Sequence, residues 1–185
     1  MPISGLDKQP AEKENGMRSL PQKVSKGKRD LWSIGDESWN GILAHSLGDY
    51  PKEACGILLC PRQGPQFISA SHPVRNATSE DPTARYLLDP QEVLAVYTWA
   101  EKTDLDICGF YHSHPDCPSV PSEHDGKFAW EGYLYLILSI EKGVFKDSRV
   151  WTWDVAEGCF YEVFARPRLA WPTSPWLLTT YNNVI

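Results

Sequence analysis

The chain's strongest constraint lies in its middle. An apolar run from Leu105 to Tyr111 reads as a β-strand and ends in His112-Ser113-His114-Pro115. Alternate residues of a strand project from one face, so His112 and His114 point the same way, with backbones ~7 Å apart by strand rise. Two imidazoles at that spacing reach one metal ion. Pro115 ends the strand because it has no N–H for the ladder.

A carboxylate follows. Pro121-Ser122-Glu123-His124-Asp125 reads as a helix start, with Ser122 as N-cap and Asp125 three residues on, on the same side of the first turn. Two neutral imidazoles and one carboxylate are a donor set typical of catalytic zinc, Zn2+, whose fourth position is left to water. A structural zinc site closes that position, usually with thiolates. The cysteines do not suit that role: Cys55, Cys60, Cys108, Cys117 and Cys159 are scattered and contain no C-x-x-C pair. Reduced, mostly buried thiols are expected. Cys117, three residues after His114, stays open as a fourth ligand, a redox brake, a nucleophile or a plain loop thiol.

These residues carry a family resemblance. His112-Ser-His114-Pro, Ser122-x-x-Asp125 and the upstream Glu53 in Pro51-Lys-Glu53-Ala-Cys-Gly56-Ile-Leu-Leu together resemble the JAMM motif of the MPN metallopeptidases, over about residues 31–163. The resemblance implies an MPN-type (cytidine-deaminase-like) α/β fold: a single domain with a mixed, largely antiparallel curved sheet flanked by helices. It implies His112, His114 and Asp125 as zinc ligands, Glu53 as the general base and Ser122 as the donor that stabilises the tetrahedral oxyanion. It further implies a peptidase or isopeptidase acting at the C-terminus of a ubiquitin-like or sulfur-carrier protein. Two other readings stand beside it: an MPN-type scaffold without catalysis, and a peptidase of cell-wall or phage-tail peptides. Ser122 as a plain helix cap is by itself a sufficient reason for a serine there.

Composition sets outer limits. The 185 residues, 42% hydrophobic and 23% charged, suffice for one domain with a core. A net charge of -6 argues against general nucleic-acid binding. No apolar stretch approaches the ~20 residues that span a bilayer. The lysine-containing N-terminus lacks the apolar core of a secretory signal, so a cytoplasmic location is expected. Asn76-Ala77-Thr78 matches a glycosylation sequon and, with no export signal, is taken as chance.

Along the chain, residues 1–30 hold seven basic and four acidic residues with sparse apolar ones, and are expected to be a disordered tail. The domain is expected over 31–166. Trp39, Ile42, Leu43 and Leu47 predict a helix after Gly35, followed by a strand Ala54–Cys60 and a hairpin partner Gln66–Val74. Tyr86–Leu88 reads as a short strand. Asp89-Pro90 starts a helix whose buried face is Val93, Leu94, Val96, Tyr97 and Ala100. The helix at Ser122 is expected to run through Trp130 to a break at Gly132. Tyr133–Ile140 predicts a central strand, Glu141–Ser148 a turn, and Arg149–Val155 with Cys159–Phe164 a hairpin. Residues 167–185, with Pro167, Pro172 and Pro175 among Trp171, Trp176, Leu177 and Leu178, are expected to dock on the domain or on a partner. His45 and His72 are expected to be structural, and His124 to face away from the site.

Overall fold

The computed structural model describes residues 32–64 and 66–163 and the backbone of 165–167. The expected N-terminal tail and nearly all of the C-terminal segment lie outside these described residues. In order come β1 (Trp32–Ile34), α1 (Asp36–Asp49), β2 (Cys55–Pro61), β3 (Phe67–Ile68), β4 (Ala70–Val74) and α2 (Pro90–Glu101). Then follow β5 (Leu105–Pro115), α3 (Glu123–Phe128), β6 (Leu134–Glu141), β7 (Val144–Asp154), β8 (Cys159–Val163) and β9 (Ala165–Pro167). The main sheet has six strands in the order β4-β2-β5-β6-β7-β8, and a small parallel sheet has the order β3-β1-β9. Within the main sheet only β5 and β6 run parallel; every other neighbour is antiparallel. This is the mixed, largely antiparallel α/β sheet expected.

The central strands β2 and β6 are buried on both faces, which explains why they read as continuous apolar runs. Leu58, Cys60, Leu134, Leu136, Leu138 and Ile140 pack with Ile42 and Trp39 of α1 on one side. Ile57 and Leu59 pack with Val96 and Ala100 of α2 on the other. A bulge lies in β5 at Cys108: Leu58 pairs with Gly109, while the next residue, Leu59, pairs with Ile107. The extra residue reverses the alternation. Ile107 and Phe110, three apart, therefore share the α2 face, and Cys108 and Tyr111 share the α1 face. By continued alternation His112 and His114 follow Phe110.

Several boundaries differ from the sequence expectation, each for a physical reason. The expected hairpin partner is split: Phe67–Ile68 leaves to pair with β1, and only Ala70–Val74 pairs with β2. Tyr86–Leu88 is not a strand but an extended loop with a single bridge, Asn76 to Leu88. The expected turn Glu141–Ser148 is a tight hairpin at Lys142 and Gly143, both with positive φ, so β7 begins at Val144. The helix at Ser122 stops at Phe128, with Ala129 already extended. On α2 the buried stripe is narrow, Val96 and Ala100 with Val93 beside them; Leu94 and Tyr97 turn outward at 64% and 55% exposure. On α1, Leu47 is likewise exposed, and Ser38 and Ser46 occupy the buried stripe with Ile42.

Two glycines make close strand approach possible. A Cβ on Gly109 would lie 2.2 Å from the Leu134 carbonyl oxygen, and one on Gly56 would lie 2.3 Å from the Tyr111 ring. Gly109→Ala is therefore expected to force β5 from β6 and to destabilise the protein by ~3 kcal/mol or more. Gly48→Ala, in α1 with nothing within 4 Å of the added carbon, is expected to stabilise by ~0.5–1 kcal/mol. Thermal melts of the two variants check the contrast.

Candidate active site

Strand β5 sits between β2 and β6, and its last turns of sequence carry the site. His112 is in register with Cys55 of β2 and Ile137 of β6, and His114 with Ser139. Both histidines are buried. Their Nε2 atoms are 3.0 Å apart. Asp125, buried on α3, places Oδ1 3.4 Å from His112 Nε2 and Oδ2 3.9 Å from His114 Nε2. Among the described residues these three are the group of histidine, cysteine and acidic side chains gathered closely enough to hold a metal, their donor atoms all within 4.8 Å.

The donor chemistry fits a cation. His114 Nδ1–H donates to the Pro118 carbonyl oxygen at 2.8 Å, since a carbonyl only accepts; in the neutral ring Nε2 then carries the lone pair. Burial, the largest influence, pushes the pKa of His112 well below its ordinary value, so its ring is neutral. Asp125 Oδ2 is occupied, accepting from Ser122 N–H at 2.6 Å and Ser122 Oγ–H at 2.7 Å. Burial opposes ionisation of Asp125, yet the carboxyl is held below its usual range, with the side-chain and backbone hydrogen bonds from Ser122 favouring the ionised form. Oδ1 is thus left for a ligand between the rings. Tetrahedral coordination with bonds of 2.0–2.2 Å separates donor atoms by ~3.3 Å, close to the spacings seen here. One atom is left over: His112 Nδ1 is buried without a hydrogen-bond partner.

Ser122 is first of all an N-cap. Its Oγ accepts from Asp125 N–H at 3.2 Å while Asp125 returns the bond, a capping box with aspartate in the reciprocal place. Its hydroxyl proton is committed to Asp125, so any donation toward a substrate requires the O–H to swing away from Asp125 about the Cβ–Oγ bond.

Glu53 precedes β2 and is 6% exposed. Burial, and secondarily the charge of Asp125, raise its carboxyl to about 8, against a smaller opposing pull from Arg85. The carboxyl is therefore within electrostatic reach of the histidine–aspartate group but is not one of its three members. Cys117 is exposed and is not one of the closely gathered donor residues. His45 contacts the Tyr111 hydroxyl at 2.9 Å and Asp49, His72 is exposed on β4, and His124 packs on Phe128.

Three residues that sequence reasoning passed over also belong to this region. Ser113, between the two histidines, is buried and accepts from Ala54 N–H at 2.9 Å. Asn76, read as a chance sequon, donates to the Glu53 carbonyl at 3.0 Å. Tyr86 stacks on the His112 ring, with centroids 4.4 Å apart and planes at 24°. The spacing of Ser113 against two histidines was a usable signal, since it must face the opposite side; Asn76 and Tyr86 had none.

A mixed sheet carrying a buried His-His-Asp group at one end of its central strand defines an α/β protein of the JAB/MPN type. Residues 37–154 match the family described as prokaryotic homologs of the JAB domain, and the chain belongs to that family. It is 37% identical over 127 residues to a desampylase of Haloferax volcanii, covering 66% of this chain and 88% of that one. It is 36% identical over 99 residues to the CysO-cysteine peptidase of Mycobacterium tuberculosis, covering 54% and 66%. A solution structure of a Salinibacter ruber protein superposes with a TM-score of 0.56 at 31% identity, over 76% of this chain and 94% of that one.

The raised Glu53 carboxyl has a measurable consequence. A carboxyl at about 8 in the folded chain and 4.5 in the unfolded one lets the folded state hold the extra proton between those values. Its contribution to stability is complete below pH 4.5 and is lost as pH rises through about 8. In chelator, wild type is therefore expected to lose stability relative to Glu53→Gln across that window. Paired melts at pH 4.5 and pH 9 check it; a constant difference contradicts it.

Proposed function

We propose that the protein is a zinc-dependent peptidase or isopeptidase of the JAMM type that hydrolyses an amide bond at the C-terminus of a ubiquitin-like or sulfur-carrier protein. The observation that carries this is the buried meeting of His112, His114 and Asp125, with a protonatable Glu53 beside it and outside the group. The relatives support the substrate class: one is named for removing a small conjugated protein, another for cleaving cysteine from a carrier.

In this reading His112 Nε2, His114 Nε2 and Asp125 Oδ1 hold the ion. A zinc ion held there would supply Lewis acidity. Glu53 then takes up a proton on its carboxylate and returns it to the departing amine, so the group is regenerated each turnover. Asp125 is unsuited to that shuttle because its two oxygens are already engaged, one by Ser122 and one at the ion. Ser122 Oγ–H, turned away from Asp125, donates to the oxyanion of the tetrahedral stage, an interaction worth ~3 kcal/mol in comparable sites. The Pro118 carbonyl keeps His114 in its tautomer throughout.

The test uses linear fusions and isopeptide conjugates of Gly-Gly-ended ubiquitin-like proteins. Glu53→Gln is expected to retain zinc and lose ~10²–10⁴-fold in kcat. Asp125→Ala is expected to lose both zinc and turnover. Unchanged turnover in Glu53→Gln, with zinc bound, removes Glu53 from the mechanism.

A further inference from the structure

Glu53 lies just outside β2, where the regular ladder no longer holds the chain. Four hydrogen bonds nevertheless hold the backbone N–H and C=O groups of Glu53 and Ala54, and they come from two directions. From β5, Ser113 N–H donates to the Ala54 carbonyl at 3.0 Å and Ser113 Oγ accepts from Ala54 N–H at 2.9 Å. From the loop between β4 and α2, the Pro82 carbonyl accepts from Glu53 N–H at 2.7 Å and Asn76 Nδ2 donates to the Glu53 carbonyl at 3.0 Å.

Neither side chain is spare. Ser113 is the residue between the two histidines, and strand alternation sends its hydroxyl to the face opposite their rings. The strand that fixes His112 and His114 thus also grips the residue next to Glu53. Asn76 uses its whole carboxamide: Nδ2 also donates to the Arg85 carbonyl at 3.0 Å, and Oδ1 accepts from Thr78 N–H and Leu87 N–H, each at 3.1 Å. Those bonds shape the loop that lays Tyr86 on the His112 ring. One amide therefore ties the backbone of Glu53 to the segment that packs against His112.

We propose that Asn76 and Ser113 are positioning residues that set the Glu53 carboxyl against the His112–His114 pair. The proposal rests on the reading of Glu53 as proton carrier. A proton-transfer group must sit within hydrogen-bond reach of its partner, and a displacement of ~1 Å can cost ~10²-fold in rate. A glutamate in a connection, without the ladder, meets that tolerance only if its backbone is held from outside the strand.

Two variants remove the two sides separately. Ser113→Ala removes the acceptor for Ala54 N–H. Asn76→Asp is nearly isosteric, keeps the acceptors for Thr78 and Leu87, and cannot donate to Glu53. Each is made alone and in a Glu53→Gln background, and assayed on a linear fusion of a Gly-Gly-ended ubiquitin-like protein. The expected result is full zinc content, a KM within about threefold of wild type and a kcat lower by ~10–100-fold. In the Glu53→Gln background the same substitutions are expected to change the residual turnover by less than about twofold, because sites acting through one group are non-additive. Hydrogen exchange on the zinc-free protein gives an independent reading: the Ala54 amide loses protection in Ser113→Ala while β6 amides keep theirs. Ser113→Thr, which retains the acceptor, is expected to recover turnover. Wild-type kcat in both variants, or an equal loss with and without Glu53, overturns this inference alone. Full turnover by Glu53→Gln itself overturns the base assignment and this inference with it.

Discussion

Strand β5 pairs with β2 on one side and with β6 on the other, and the end of that pairing is where two imidazoles leave water together. Their Nε2 atoms lie 3.0 Å apart in a buried setting. Two imidazole nitrogens at that distance, with a buried aspartate beside them, form a compact donor set of the kind that a cation can bind. Everything else at the site bears on keeping that arrangement in place: the Pro118 carbonyl on His114, Tyr86 on His112, and Ser122 on Asp125.

The arrangement separates two kinds of carboxylate. Asp125 is held ionised by hydrogen bonds from a helix cap, whereas Glu53 is raised by burial and by the charge of Asp125. Environments that drive two acids apart in this way suit one for binding a cation and the other for carrying a proton. The helix cap has a double consequence here. The Ser122 bonds that begin α3 also aim Oδ1 of Asp125 at the histidines, so local helix chemistry and site geometry are one set of contacts.

Much of the fold was legible along the chain because its signals are local. Asp89-Pro90 opens α2, and Asp89 accepts from Gln91 and Glu92 as an N-cap should. Leu134–Glu141 is a central strand, as its unbroken apolar run implies. What misled was long-range. Leu94 and Tyr97 share the composition of a buried face, but α2 meets the sheet along a stripe only wide enough for Val96, Ala100 and Val93. Phe67–Ile68 has the pattern of a hairpin partner, yet β1 offers it a parallel edge instead. Asn76 read only as part of a chance sequon, because nothing along the chain shows that its amide reaches the Glu53 carbonyl.

That His112 and His114 project together, and that Ser122 and Asp125 share a helix turn, was determined by sequence alone, since strand and helix periods are properties of the backbone. Which side of the sheet receives the histidines was decided by the bulge at Cys108, one extra residue that reverses the alternation counted from Ile107. The approach of Asp125 to those rings, with Glu53 within reach of its charge, was likewise decided in three dimensions. It depends on where α3 and the end of β2 come to rest after strand pairing, and no spacing along a chain contains that distance.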